Sequence, residues 1–180
     1  LGQEQRVAFD FCVRDIVSWG RAPHAVVETP ACRAMTARAI AAVELTGREE
    51  DRISTLSGGE QARVHLGRAL CQVGFGETGR YLLLDEPTAA LDPAQALRVI
   101  ALVRDLTSRG LGVVAVVHDL NLAARLADRV VVLRRGEVVA SGSVVETLTA
   151  ELLAEAYDVD VAVDLGPAGA PRITLLEPRR

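Results

Sequence analysis

The chain contains no lysine: all 20 of its basic residues are arginine. Coding bias in a GC-rich genome accounts for this without a functional cause, but the absence has a chemical consequence. A phosphate loop of the form G-x-x-x-x-G-K-[ST] needs its lysine on the β- and γ-phosphates, so none can exist here. The run Gly74 to Arg80, GFGETGR, comes near that pattern. However, Arg80 replaces the lysine, Tyr81 replaces the hydroxyl residue, and no strand leads in, so it reads as a turn. Aromatic residues make up only 3%. Leu, Val, Ile and Ala must therefore fill the interior. The three cysteines, Cys12, Cys32 and Cys71, are widely spaced and odd in number. That excludes metal spacings such as C-x-x-C, and reduced thiols are expected. No apolar run approaches the ~20 residues that span a bilayer, and the start lacks the pattern of a secretory signal. The net charge of -4 does not favour a nucleic-acid partner.

What is present suits a folded domain. A chain of 180 residues, 49% of them apolar, can bury a core and is not a disordered tail. Residues 1 to 12 are expected to be a strand end and a loop. Helices are expected over Val13 to Trp19, Thr36 to Leu45 and Gly59 to Val73, with an exposed charged segment from Arg48 to Arg52. Tyr81 to Leu84 and Val113 to Val117 read as strands buried in a parallel sheet. Between them lies a helix from Pro93 to about Arg109, with proline in its favoured first position. Leu120 to Ala127 is a helix, Arg129 to Leu133 a strand, and Glu137 to Ala140 pairs back as a hairpin. Leu148 to Tyr157 is a helix, followed by short strands over Val159 to Val163 and Arg172 to Leu176. Strand and helix alternate from 81 to 133, which predicts an α/β fold with a parallel sheet.

The chemistry concentrates between Leu56 and Asp92. Ser57 is a good helix N-cap, and Glu60 three residues later completes a capping box. Gly58 and Gly59 waste helix propensity. They make better sense where an anion approaches the backbone amides at a helix start. Asp85 and Glu86 end an apolar strand, the end at which ligands collect in open parallel sheets. Asp85 there can hold Mg²⁺ and Glu86 can polarise a water as general base. A capped turn would also explain the pair. His118 ends the neighbouring strand and can hydrogen-bond a terminal phosphate, although a solvated histidine is the plainer reading of that residue alone. Gln3 by itself reads as a surface residue.

In order and spacing these residues resemble the ATP-binding cassette (ABC) ATPases over nearly the whole chain. Leu56-Ser57-Gly58-Gly59-Glu60, extended by Gln61, resembles the signature motif. Tyr81 to Asp85 resembles the Walker B strand, with Glu86 in the catalytic position. Ala90-Leu91-Asp92 resembles the D-loop, His118 the switch histidine, and Gln3 the Q-loop glutamine. The resemblance implies a nucleotide hydrolase of the P-loop class. About 11–73 would form a helical subdomain carrying the signature, about 74–142 a sheet core, and about 143–180 a C-terminal helix with short strands, all in a single partial domain.

It also implies ATP and Mg²⁺ as cofactors and a head-to-tail homodimer. Ser57, Gly58 and Gly59 of one subunit would face the γ-phosphate held by the other. Asp85 and Gln3 would serve magnesium, Glu86 the attacking water, and Asp92 would connect the two sites. Integral-membrane permease subunits and, indirectly, a periplasmic or lipoprotein substrate-binding protein are the implied partners. The implied location is the cytoplasmic face of a bacterial membrane.

The segments FDFCVRDIVSWGRAPH, SGGEQARVHLGRAL, VVHDLNLAARLADRVVVLRRGEVVASG and LTAELLAEAYDVDV look most like importer ATPases for haem and iron-siderophore complexes. The alternatives are an ABC ATPase for another substrate and a non-transport or regulatory ABC protein. The long coiled-coil insertions or tandem cassettes usual in non-transport members do not appear. The Walker A motif, the first strands and the aromatic that stacks on adenine are not in this sequence. Leu1 is not an initiator methionine, so an N-terminal truncation is expected, along with a fragment that hydrolyses no ATP alone.

Overall fold

The computed structural model describes residues 10–25, 27–76, 79–166 and 169–178. They divide into two compact units, one reaching to Val116 and the other starting at Val117.

The first unit opens with a helical cluster. Its helices are α1 (Val13–Ser18), α2 (Pro30–Ala42) and α3 (Gly58–Val73). The second starts six residues before the expected Thr36. Thr29 accepts a hydrogen bond from the Cys32 amide through its hydroxyl, and Pro30 takes the first helical position. Val13, Val17, Ile40, Leu45, Val64, Leu70 and Cys71 are fully or almost fully buried between the three. Gly20 permits the tightest approach in this cluster. A Cβ there would lie 2.3 Å from the Arg68 carbonyl of α3. Arg21 then donates to the Cys71 carbonyl at 3.1 Å, and His24 sits 2.7 Å from the Gln72 carbonyl. Cys12, Cys32 and Cys71 are all buried and free.

A βαβ crossover follows: β1 (Tyr81–Asp85), α4 (Pro93–Ser108) and β2 (Gly112–Val116). The strands pair in parallel, with Tyr81 opposite Gly112 and Asp85 opposite Val116. The expectation of strands buried on both faces fails. Leu82 is buried, but Tyr81, Leu83, Val114 and Val116 are exposed at 68%, 73%, 58% and 54%. Burial alternates because only one face of this pair is covered by described residues. On α4, Val99, Ile100, Val103 and Leu106 turn inward.

The second unit contains α5 (Leu120–Leu126), β3 (Arg129–Arg134), β4 (Glu137–Ser143), the single turn α6 (Val144–Thr147), α7 (Ala150–Tyr157), β5 (Val159–Leu165) and β6 (Pro171–Pro178). Here β3–β4 and β5–β6 are antiparallel pairs. The parallel arrangement predicted up to residue 133 is thus seen among the described residues in β1–β2, and β3 pairs with the hairpin strand after it. Leu148, Leu153, Val144, Ala124 and Ile173 form the core of this unit. Asn121 fastens two of its elements together. Its side-chain amide donates to the Ile173 carbonyl at 2.9 Å, and its oxygen accepts from the Ile173 amide at 2.8 Å.

Candidate functional site

The turn at Ser57 is built as the sequence predicts. Ser57 caps α3, its hydroxyl accepting from the Glu60 amide at 3.3 Å. The Glu60 carboxylate reaches back to accept from the Ser57 amide at 2.8 Å and the Ser57 hydroxyl at 2.9 Å. Arg48 ion-pairs with the same carboxylate, and its Nε donates to Asp51 at 2.7 Å. The hydrogen bonds from Ser57, reinforced by the Arg48 charge, hold the Glu60 carboxyl below its ordinary pKa. Gln61 closes the other side of the turn, its amide donating to the carbonyls of Ile53 at 3.1 Å and Leu56 at 3.0 Å.

The two glycines differ in their surroundings. A Cβ on Gly58 would meet nothing within 4 Å, so that side of the helix start is open. Gly59 is buried, and its Cβ would lie 3.0 Å from the Ala90 carbonyl and 3.1 Å from Gln95 Oε1. Open access therefore explains Gly58, whereas close packing within the chain explains Gly59. Helix geometry leaves the first N–H groups of α3 without intrahelical acceptors, and the helix dipole adds partial positive charge there. The open side at Gly58 suits an anion.

Asp85 is exposed at the carboxyl end of β1. Glu86 follows with φ +45, in the left-handed region. Its amide donates to the Val116 carbonyl at 2.9 Å, extending the ladder with β2 by one residue. The chain then turns tightly, with Ala89 donating to the Glu86 carbonyl and Leu91 to the Thr88 carbonyl, both at 3.1 Å. Asp92 caps α4 by accepting from the Gln95 amide at 2.9 Å. The D-loop-like segment and the Ser57 turn therefore meet at Gly59, a contact between positions some thirty residues apart that no local pattern announces. The cavity lined by Glu44, Arg63, Leu66, Gln95 and Arg98 has a volume of about 30 Å³. That is room for about one water and not for a nucleotide.

His118 belongs to the second unit, where it is exposed. Its neighbour Asp119 caps α5, accepting from the amides of Asn121 at 2.8 Å and Leu122 at 3.1 Å. The Asn121 clamp on Ile173 thus anchors the helix that begins beside His118. An asparagine in the first turn of a helix gives no signal of such a partner. Gln3 lies outside the described residues.

The sequence pattern of the ABC transporter family matches residues 2–89. A hemin import ATP-binding protein of Deinococcus radiodurans is 45% identical over 167 residues, covering 93% of this chain and 64% of the relative. One from Burkholderia pseudomallei is 44% identical over 182 residues, covering 96% of this chain and 67% of the relative. The chain thus spans about two thirds of the length of the relatives it matches. A protein described as a metal-chelate type ABC transporter, solved in an inward-facing conformation, superposes with a TM-score of 0.79 at 24% identity, over 94% of this chain and 68% of that one. A dimeric ATP-binding cassette bound to ADP and Pi superposes with a TM-score of 0.64 at 26% identity, over 74% of this chain and 56% of that one. The α/β architecture is that of the ABC ATPases, and the chain belongs to the ABC transporter family.

Proposed function

We propose that the full-length protein is the ATP-hydrolysing subunit of an ABC importer for haem or an iron-siderophore complex. It works as a head-to-tail dimer on the cytoplasmic face of the membrane. There it drives integral-membrane permease subunits, to which a periplasmic or lipoprotein binding protein delivers the substrate. One observation carries this reading: a helix start with an open anion-facing side lies in the same compact unit as a strand that ends in Asp85 and Glu86. The hemin-import names of the relatives favour haem as the cargo.

The residues fit ATP and Mg²⁺. Gly58 leaves the backbone accessible to phosphate oxygens. Asp85 presents an exposed carboxylate, and one carboxylate plus substrate phosphates is a usual magnesium environment. No group of three or more His, Cys, Asp or Glu able to hold a metal is found among the described residues. Asp85, with Gln3, would hold magnesium, which supplies charge neutralisation on the phosphates.

The remaining roles belong to the chain itself. Ser57, Gly58 and Gly59 bind the γ-phosphate held by the partner subunit, with Glu60 and Gln61 keeping the turn in shape. The Glu86 carboxylate orients the attacking water and accepts its proton. His118 hydrogen-bonds the terminal phosphate and registers its presence. Asp92, by capping α4, holds the loop that runs between the two sites.

The test is Glu86→Gln in the full-length protein. Turnover is expected to fall by about two to four orders of magnitude, the range for losing a general base. ATP binding should persist, and a dimer should accumulate in ATP and magnesium, as seen by size-exclusion chromatography. Wild-type turnover in this variant would refute the role of Glu86. Transport assays with haem and with a ferric siderophore in proteoliposomes separate the two cargos.

A further inference from the structure

His118 stands one residue before the cap of α5, and α5 is short. Its 7 residues make about two turns, and a helix of that length takes its stability from what it packs on. The second turn is seated by Ala123 and Ala124, both buried, and Ala124 joins the core of Leu148, Leu153, Val144 and Ile173. The first turn is held differently. The Asn121 backbone amide donates to the Asp119 carboxylate at 2.8 Å, while the Asn121 side chain reaches β6. There its amide donates to the Ile173 carbonyl at 2.9 Å and its oxygen accepts from the Ile173 amide at 2.8 Å. Two hydrogen bonds to the backbone of one residue fix direction as well as distance, which apolar packing does not. Ile173 is itself only 5% exposed, so the point of attachment belongs to the core of the unit.

We infer that Asn121 is a positioning residue for His118, and that its two bonds to Ile173 make β6 the reference against which the histidine is held. This rests on the phosphate role proposed above for His118 and adds a residue, and a C-terminal strand, which that reading does not use. An imidazole that must meet a phosphate oxygen at hydrogen-bond distance tolerates little drift of the backbone beneath it. Without the clamp, the first turn of α5 pivots on the seat of the second. Asp119 passes the shift on, because it accepts from the amides of Asn121 and Leu122 and is the residue joined to His118. The ribbon of β5 and β6 is then part of the apparatus that reads the terminal phosphate.

A double-mutant cycle tests this. ATP turnover is measured for the full-length protein, assembled with its permease, as wild type, His118→Ala, Asn121→Ala and the double variant. Each rate is divided by the ATP-binding sites present, so that unfolded protein does not count. Asn121→Ala is expected to lower kcat about three- to tenfold, part of the roughly hundredfold that a misplacement of about 1 Å can cost, with KM for ATP unchanged within about twofold. In the His118→Ala background the same change should cost less than about twofold, because no imidazole is left to misplace. Asn121→Asp repeats the cycle in a variant whose helix start is protected, since a carboxylate suits the first turn of a helix but cannot donate to the Ile173 carbonyl. The same loss and the same non-additivity are expected. Equal losses in both backgrounds, or wild-type kcat in Asn121→Ala or Asn121→Asp, would overturn the inference and leave the proposed function standing. Wild-type kcat in His118→Ala would instead refute the phosphate role of the histidine, and the inference with it.

Discussion

Glu60 shows how much one residue can hold. It accepts from the Ser57 amide and hydroxyl and ion-pairs with Arg48, which also holds Asp51. The Ser57 hydroxyl donates to this carboxylate, so a phosphate oxygen competing for that hydroxyl proton must displace Glu60. Arg48 lowers the negative charge that such a phosphate meets. The carboxyl has a depressed pKa, for which the sign follows directly. Its stabilisation is fully present above the unfolded value of about 4.3, and is lost as pH falls through the lower folded value. Glu60→Gln should therefore flatten the acid limb of a Tm-against-pH curve below about pH 4.5, leaving a nearly constant deficit at neutral pH. Parallel acid limbs in variant and wild type would show that Glu60 does not contribute this dependence.

At the scale of elements, α5 depends on a contact its own sequence does not disclose. Only four of its residues are needed to reach from the Asp119 cap to Ala123, yet Asn121 ties it to β6 by two hydrogen bonds. Asn121→Ala leaves the Ile173 amide and carbonyl without that partner. A cost of about 1–3 kcal/mol is expected, read as a lowered denaturation midpoint of the full-length protein. Faster amide exchange at Ile173 would locate the loss, and unchanged exchange there would dismiss the clamp. The ends of some other elements are legible in the sequence. The Ser57 box, Pro93 and the Asp85-Glu86 strand end all announce themselves within a few positions. The start of α2 was missed because Ala-rich sequence lacks a strong apolar stripe, although Thr29-Pro30 carries the cue. The contacts of Gly59 with Ala90 and Gln95, and of Asn121 with Ile173, join distant positions, and no local pattern encodes such meetings.

At the scale of the whole molecule, two observations bear on how this chain behaves by itself. One is the absence of lysine, which removes the side chain that a P-loop places on the β- and γ-phosphates. The other is the apolar face of β1–β2 that the described residues leave uncovered, where Tyr81, Leu83, Val114 and Val116 are exposed. A face of this kind invites association. The 180-residue chain is expected to bind ATP weakly, to show no turnover, and to enhance the fluorescence of a hydrophobic dye. Leu83→Ser with Val114→Thr should reduce that enhancement. Undiminished fluorescence would place the dye elsewhere, and turnover abolished by Glu86→Gln would overturn the expectation of inactivity.

Under the role proposed for Glu86, its backbone sets stability against activity. With φ at +45, a residue with an ordinary β-carbon sits in a region that costs it roughly 1 kcal/mol. Asparagine adopts that region more readily, so Glu86→Asn should raise the Tm of the full-length protein by a few degrees while abolishing hydrolysis. Glu86→Gln, with the backbone preference of glutamate, should leave Tm where it was. Under the role proposed for Glu86, the reaction holds glutamate at a position whose backbone suits asparagine better.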